Sequence, residues 1–155
     1  RNVMLKRFAE QGGGSLAALE PWDEQLVRHG TVVHAVREAF LIELKPLVES
    51  HYRGISNGPE TVALTYRSAV GERGMEAVLK ESWDRDRSAQ HTTAGVHKDD
   101  LLFSIEGRPL KRFGSQGQQK TFLIALKLAQ FDLTTERTGR KPVLMLDDIF
   151  DKIDN

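Results

Sequence analysis

Phe113-Gly114-Ser115-Gln116-Gly117-Gln118-Gln119-Lys120 and Pro142-Val143-Leu144-Met145-Leu146-Asp147-Asp148-Ile149-Phe150-Asp151-Lys152-Ile153-Asp154 decide the fold of this chain. The first stretch leads from a serine-glycine loop into Phe122, Leu123, Leu126, Ala129 and Leu133, whose spacing predicts an amphipathic helix. Thr138-Gly139-Arg140-Lys141-Pro142 closes that helix. Val143 to Leu146 is then a continuous apolar run, the pattern of a strand buried on both faces of a parallel sheet. Asp147 and Asp148 would stand at its C-terminal edge, the side on which open α/β sheets place their ligands. Standing alone, the same residues read rather as a buried strand followed by an acidic turn, and it is the spacing to the first stretch that turns the reading toward a nucleotide site.

The loop carries its own chemistry. Ser115 precedes a helix, so its hydroxyl, the first backbone N–H groups and the positive end of the helix dipole can converge on an anion. Gly117 would let the backbone approach a phosphate closely. A plain helix start with Ser115 as N-cap is compatible with that role. At the second stretch, Asp147 would hold Mg²⁺, directly or through water, and Asp148 would orient or deprotonate an attacking water.

Composition bounds the alternatives. Of 155 residues, 39% are apolar and 28% charged, as in a globular protein. The 22 basic and 22 acidic side chains balance, so contact with DNA would need a local patch. The absence of cysteine excludes disulfides, thiolate metal sites and thiol catalysis, and fits a reducing, cytoplasmic setting. No apolar run approaches the ~20 residues of a membrane span.

Upstream, Val3 to Gln11 has helical spacing, broken by Gly12-Gly13-Gly14-Ser15, which reads as a flexible loop. From Trp22 a long helix is expected, with Leu26, Val33, Val36, Phe40, Leu44 and Leu47 on one face and Pro46 kinking or ending it. Asn57-Gly58-Pro59 signals a turn. Val62, Leu64 and Tyr66 then alternate with Ala63, Thr65 and Arg67 as in a half-buried strand. Met75, Val78, Leu79 and Trp83 restore a helix that ends in the charged Asp84-Arg85-Asp86-Arg87. Leu101 to Ile105, through Glu106-Gly107-Arg108-Pro109, to Leu110-Lys111-Arg112 reads as a hairpin. The expected organisation is a helical arm over residues 1–58 and an α/β lobe over 59–155.

The loop-helix-strand order from Ser115 to Asp154 resembles the signature loop, Walker B strand and D-loop of ABC-type ATPases. In this stretch the sequence is similar to the RecF family of bacterial DNA replication and repair proteins, relatives of the structural-maintenance-of-chromosomes ATPases. Gly95-Val96-His97-Lys98-Asp99-Asp100-Leu101 resembles that family's G-P-H-R-D-D-L, and Arg1-Asn2 with Leu5-Lys6 matches near its start. The fold this implies is the C-terminal half of a P-loop ATPase head with an attached helical arm.

The resemblance also implies that the head dimerises around two ATP molecules. Ser115, Gln116, Gly117 and Gln118 would then reach the γ-phosphate held by a partner subunit, while Asp147 and Asp148 would serve the nucleotide of their own subunit with Mg²⁺. Asp151 to Asp154 would form the D-loop across the interface. Implied partners are single-strand/double-strand DNA junctions and recombination mediator proteins, with no membrane. Val96 replaces the family's proline, Lys98 its arginine, and Gly114 stands where a larger residue is common. Asp148 stands where many ABC-type ATPases carry glutamate, which implies slow turnover suited to a switch.

No G-x-x-x-x-G-K-[ST] loop occurs, so this stretch alone is not expected to hydrolyse ATP. The phosphate loop would lie upstream of Arg1 and the switch histidine beyond Asn155, with exposed sheet edges where the missing half would pair. His97 reads as a structural histidine or a functional contact, and Asp99 and Asp100 as a strand-flanking turn or cap. Arg108, Lys111 and Arg112 read as a solvated hairpin or a phosphate-contacting cluster. In the family reading, Arg28, Arg37 and Lys45 would face DNA from the arm. Two other readings stand beside it. One is a different chromosome-organising ABC-type ATPase, which would show heptad arms that are not seen. The other is a non-catalytic protein-interaction module.

Overall fold

A computed structural model of the chain describes residues 1–145. Asp147, Asp148, Asp151, Asp154 and the rest of the expected Walker B and D-loop segment from Leu146 onward lie outside the described residues. The helices are α1 (Asn2–Glu10), α2 (Glu20–Ser56), α3 (Gly74–Glu81), α4 (Trp83–Ala89), α5 (Leu110–Phe113) and α6 (Gln116–Thr138). The strands β1 (Val62–Arg67), β2 (Asp100–Ile105) and β3 (Arg108–Pro109) form one sheet in the order β1-β2-β3. The chain divides into two compact units, residues 1–38 with 66–100, and residues 39–65 with 101 onward.

In the first unit α1 buries Leu5 and Phe8 against Leu19, with Met4 and Trp83 packed around them. Phe8 meets Trp83 edge-on, ring centroids 6.4 Å apart. The glycine-rich segment after α1 has a packing role at one position, because a Cβ on Gly14 would stand 2.1 Å from Phe8 Cγ. A second cluster joins Val70, Met75 and Leu79 to Leu26, Val27 and Val96. The helix expected from Met75 through Trp83 is two helices, with Ser82 between α3 and α4.

Arg1 and Asp86 form the unit's polar centre, with Arg1 Nη1 donating to Asp86 Oδ2 and Nε to Asp23 Oδ1 at 2.5 Å. Asp86 is fully buried. It also accepts from Thr93 N–H (2.7 Å), Thr93 Oγ1 (2.6 Å) and Ser82 Oγ (3.0 Å). A residue read from sequence as part of a charged helix end is therefore the most enclosed carboxylate of this unit.

The second unit contains the later part of α2, which buries Leu41, Leu44, Val48 and Tyr52. Pro46 neither ends nor interrupts α2. Its ring and the Ile42 carbonyl left without a donor both lie on the solvent side, where water can take the missing bond. The predicted apolar face is also rotated, for Val33 and Val36 are exposed while Leu41, Val48 and Tyr52 face inward. α6 lies antiparallel to this part of α2. Arg137 Nη2 reaches Glu43 at 3.0 Å, His51 Nε2 lies 2.6 Å from Asp132 Oδ2, and the rings of Tyr52 and Phe122 are 6.4 Å apart. Phe122, Ala125, Ala129 and Leu133 form the buried stripe of α6, whereas Leu123, assigned to it from sequence, is half exposed.

β1 buries Val62 and Leu64 as the alternation predicts. The predicted hairpin forms with a tighter turn, its second strand being Arg108–Pro109 from the expected connection and not Leu110-Lys111-Arg112. Ser104 pairs with Pro109 and Ile105 with Arg108 around the two-residue turn Glu106-Gly107, both at positive φ. Glu106 Oε1 accepts from Thr61 N–H (2.5 Å) and Thr61 Oγ1 (3.0 Å), which fastens the turn to the residue before β1. Leu110-Lys111-Arg112 is helical, because Pro109 has no N–H with which to continue the ladder and Leu110 buries its side chain instead. Val143 and Met145 are 89% and 87% exposed and belong to no strand of the described residues, so the expected Val143–Leu146 strand does not form over 143–145. The described sheet offers it no parallel neighbour, β3 having only two residues.

Candidate nucleotide-binding loop

Ser115 is the N-cap of α6 in extended conformation, with a complete capping box. Its Oγ accepts from Gln118 N–H at 3.2 Å, and Gln118 Oε1 accepts from Ser115 N–H at 2.8 Å. Two reciprocal bonds thus satisfy two donors that a helix start otherwise leaves open. The N–H groups of Gln116 and Gly117 have no intrahelical acceptor, as for any first helical turn. The Ser115 hydroxyl still has its own proton to donate. Ser115, Gln116 and Gly117 are all exposed.

The two glycines of the loop differ. A Cβ on Gly114 would fall 2.8 Å from both the carbonyl oxygen and Cδ1 of Leu110, whose carbonyl also accepts from Gly114 N–H at 2.8 Å. The tight passage from α5 to α6 therefore accounts for glycine at 114. A Cβ on Gly117 would meet nothing within 4 Å except Ser115 Oγ at 3.9 Å. The fold does not demand glycine there, and open space above the N-terminus of α6 suits a phosphate oxygen.

Basic side chains flank the loop. The guanidiniums of Arg108 and Arg112 stand 5.7 and 5.4 Å from the ring centroid of Phe113, which is 50% exposed. Together with Lys111 they set positive charge beside the helix start, the polarity an anion requires. Behind the loop stands a carboxylate that sequence reading passed over. Glu60 Oε1 accepts from Gln118 Nε2 at 2.8 Å and Oε2 accepts from Tyr52 Oη at 3.0 Å. Burial first, then the Glu60 hydrogen bond and charge, push the Tyr52 hydroxyl up to about 12. Nothing in the local pattern marks Glu60, since it follows a turn and its partners are distant in sequence.

The G-V-H-K-D-D-L segment is structural in its contacts. His97 Nε2 lies 3.0 Å from the Thr92 carbonyl oxygen. Asp99 Oδ2 accepts from Tyr66 Oη and from Arg37 Nη1, the latter at 3.0 Å, and Arg37 also donates to the Val96 carbonyl at 2.7 Å. Burial, then the hydrogen bond to Asp99, raise the Tyr66 hydroxyl above its ordinary value. Arg37, expected to face DNA, is thus committed to this network, and Asp100 pairs with Arg67 at 3.4 Å. Among the described residues no cluster of three or more His, Cys, Asp or Glu could hold a metal, and no helix is long and apolar enough to cross a membrane.

No protein-family model matches the chain. It is 44% identical over 154 residues to the DNA replication and repair protein RecF of Flavobacterium johnsoniae, covering 99% of this chain and 43% of that protein. It is 47% identical over 155 residues to RecF of Phocaeicola vulgatus, covering 99% of this chain and 41% of that one. Among solved structures, the recombination mediator protein RecF with ATP in the RecFOR pathway superimposes with a TM-score of 0.87 at 30% identity, covering 99% of this chain and 43% of that chain. The chain therefore spans about two fifths of the length of the relatives it matches. The expected α/β class is the observed one, and over that span its fold is that of RecF. By sequence identity and by fold, almost the whole of this chain matches one stretch of the RecF proteins.

Proposed function

We propose that this chain supplies the trans-acting half of a composite ATP site in a DNA replication and repair protein of the RecF type. The observation that carries the reading is the pre-shaped start of α6, a Ser115 cap with a free hydroxyl proton under open space at Gly117. ATP, when bound by a second subunit, supplies the triphosphate whose terminal oxygens this loop is shaped to receive. Ser115 Oγ and the N–H groups of Gln116 and Gly117 donate to those oxygens, and Arg108, Lys111 and Arg112 lower the cost of bringing the charge in. Gln118 already uses its carbonyl oxygen on Ser115 and one N–H on Glu60, leaving its second N–H for a phosphate. Asp147 for Mg²⁺, Asp148 for the attacking water, and Asp151 and Asp154 for the D-loop enter on sequence alone.

The arm and head assignments, residues 1–58 and 59–155, belong to the same reading. So do ATP-driven homodimerisation, binding of gapped or junction DNA, and work with recombination mediator proteins. The test is ATP-dependent dimerisation, hydrolysis and gapped-DNA binding by the full-length protein, comparing wild type with Ser115→Arg and Asp148→Asn. Ser115→Arg is expected to abolish dimerisation, and Asp148→Asn to trap the ATP-bound dimer on DNA. Wild-type behaviour by both variants would replace the composite site with a non-catalytic interaction module.

A further inference from the structure

We propose that Glu60 is the positioning residue of the nucleotide loop, setting the Ser115–Gln118 cap and tying it to helix α2 through Tyr52. The proposal rests on the nucleotide reading above. Its geometry is a chain of four hydrogen bonds. Tyr52 Oη donates to Glu60 Oε2 (3.0 Å), Gln118 Nε2 donates to Glu60 Oε1 (2.8 Å), Ser115 N–H donates to Gln118 Oε1 (2.8 Å), and Gln118 N–H donates to Ser115 Oγ (3.2 Å).

Each link constrains the next. An amide side chain can turn either end toward Ser115, but an ionised carboxylate only accepts, so Glu60 admits Gln118 in one orientation. That orientation directs Oε1 at Ser115 N–H and completes the capping box. Glu60 in turn is held by a hydroxyl whose ring is 1% exposed, wedged beside Phe122 one helical turn after Gln118. Both oxygens of Glu60 are thereby engaged by donors, one from Tyr52 and one from Gln118. A displacement of Tyr52 on α2 shifts Glu60 and, through Gln118, the serine hydroxyl.

The test is the ATP concentration giving half-maximal dimerisation of the full-length protein, with thermal unfolding of the same samples as a control for folding. Glu60→Ala is expected to raise that concentration roughly tenfold, the loss of about one hydrogen bond to a charged group. Glu60→Gln, whose amide can still accept from Gln118 and donate to the tyrosine oxygen, is expected to restore it to within about twofold. In a Gln118→Ala background Glu60→Ala is expected to add nothing, because the two residues act through one contact. An unchanged ATP requirement for Glu60→Ala, or full additivity with Gln118→Ala, overturns the proposal while leaving the composite site intact if Ser115→Arg still abolishes dimerisation. Wild-type dimerisation by Ser115→Arg removes the nucleotide reading, and the positioning role falls with it.

Discussion

Asp86→Ala should be the most damaging single substitution in the first unit. The carboxylate is fully buried and accepts four hydrogen bonds, one from an arginine whose side chain is itself 3% exposed. Removing it leaves the Arg1 guanidinium with Asp23 and Thr92 as partners and strands the Thr93 N–H. Breaking a buried ion pair from one side costs about 3–5 kcal/mol. Against a typical stability of ~5–15 kcal/mol that is a large fraction. With a urea slope of roughly 2 kcal/mol/M the midpoint should fall by about 2 M, read by far-UV circular dichroism. Asp86→Asn should be nearly as harmful, because its amide nitrogen would face Arg1 Nη1, donor against donor.

The pH dependence of the same group has a definite sign. Burial alone favours the neutral acid, but bonds from the Thr93 side chain, Arg1, the Thr93 backbone and Ser82 outweigh it and hold Asp86 below its ordinary 3.8. Its stabilising contribution is complete above the ordinary value and is lost as pH falls through the lowered one. Acid should therefore erode the difference between wild type and Asp86→Asn. A midpoint shift under about 0.5 M at neutral pH, equivalent to roughly 1 kcal/mol, would refute the buried-pair argument.

Two further outcomes are expected. Tyr52 should titrate at about 12 when tyrosinate absorbance is followed in a Tyr66→Phe background, and Glu60→Gln should lower that value. The stability Tyr52 contributes is then full below its unfolded value of 10 and lost as pH rises through about 12, whereas titration near 10 in the native protein would contradict the burial. Gly114→Ala should destabilise by about 1–3 kcal/mol through the Leu110 contact, while Gly117→Ala leaves thermal stability unchanged or slightly raised. The reverse ranking in a melting experiment would sink the distinction between a glycine kept by packing and one kept for a ligand.

What the sequence made legible was local. The cap at Ser115, the alternation of Val62 to Arg67 and the helical period of α6 each depend on neighbours within a few residues, and each appears as read save for Leu123 on α6. On α2 the predicted face holds at Leu26 and Leu44 but not at Val33 and Val36, which carry the period without being covered, because coverage depends on which elements pack there. Pro46 does not end α2, since its cost depends on whether water reaches the orphaned carbonyl. Glu60, Asp86 and the Tyr66–Asp99–Arg37 network join residues eight to eighty-five positions apart, a relation that no spacing rule expresses.

The distribution of aromatic residues has a practical consequence. Both tryptophans, Trp22 and Trp83, lie in the first unit, and Trp83 is packed edge-on against Phe8. The second unit has no indole and surrounds Phe122 with Tyr52 and Phe103 instead. Tryptophan fluorescence is thus an optical label for one unit alone, placed there without mutagenesis, while backbone dichroism sums over both. If the two signals melt at one temperature the units unfold together, and if they separate, the interval between them measures how independently each holds its fold.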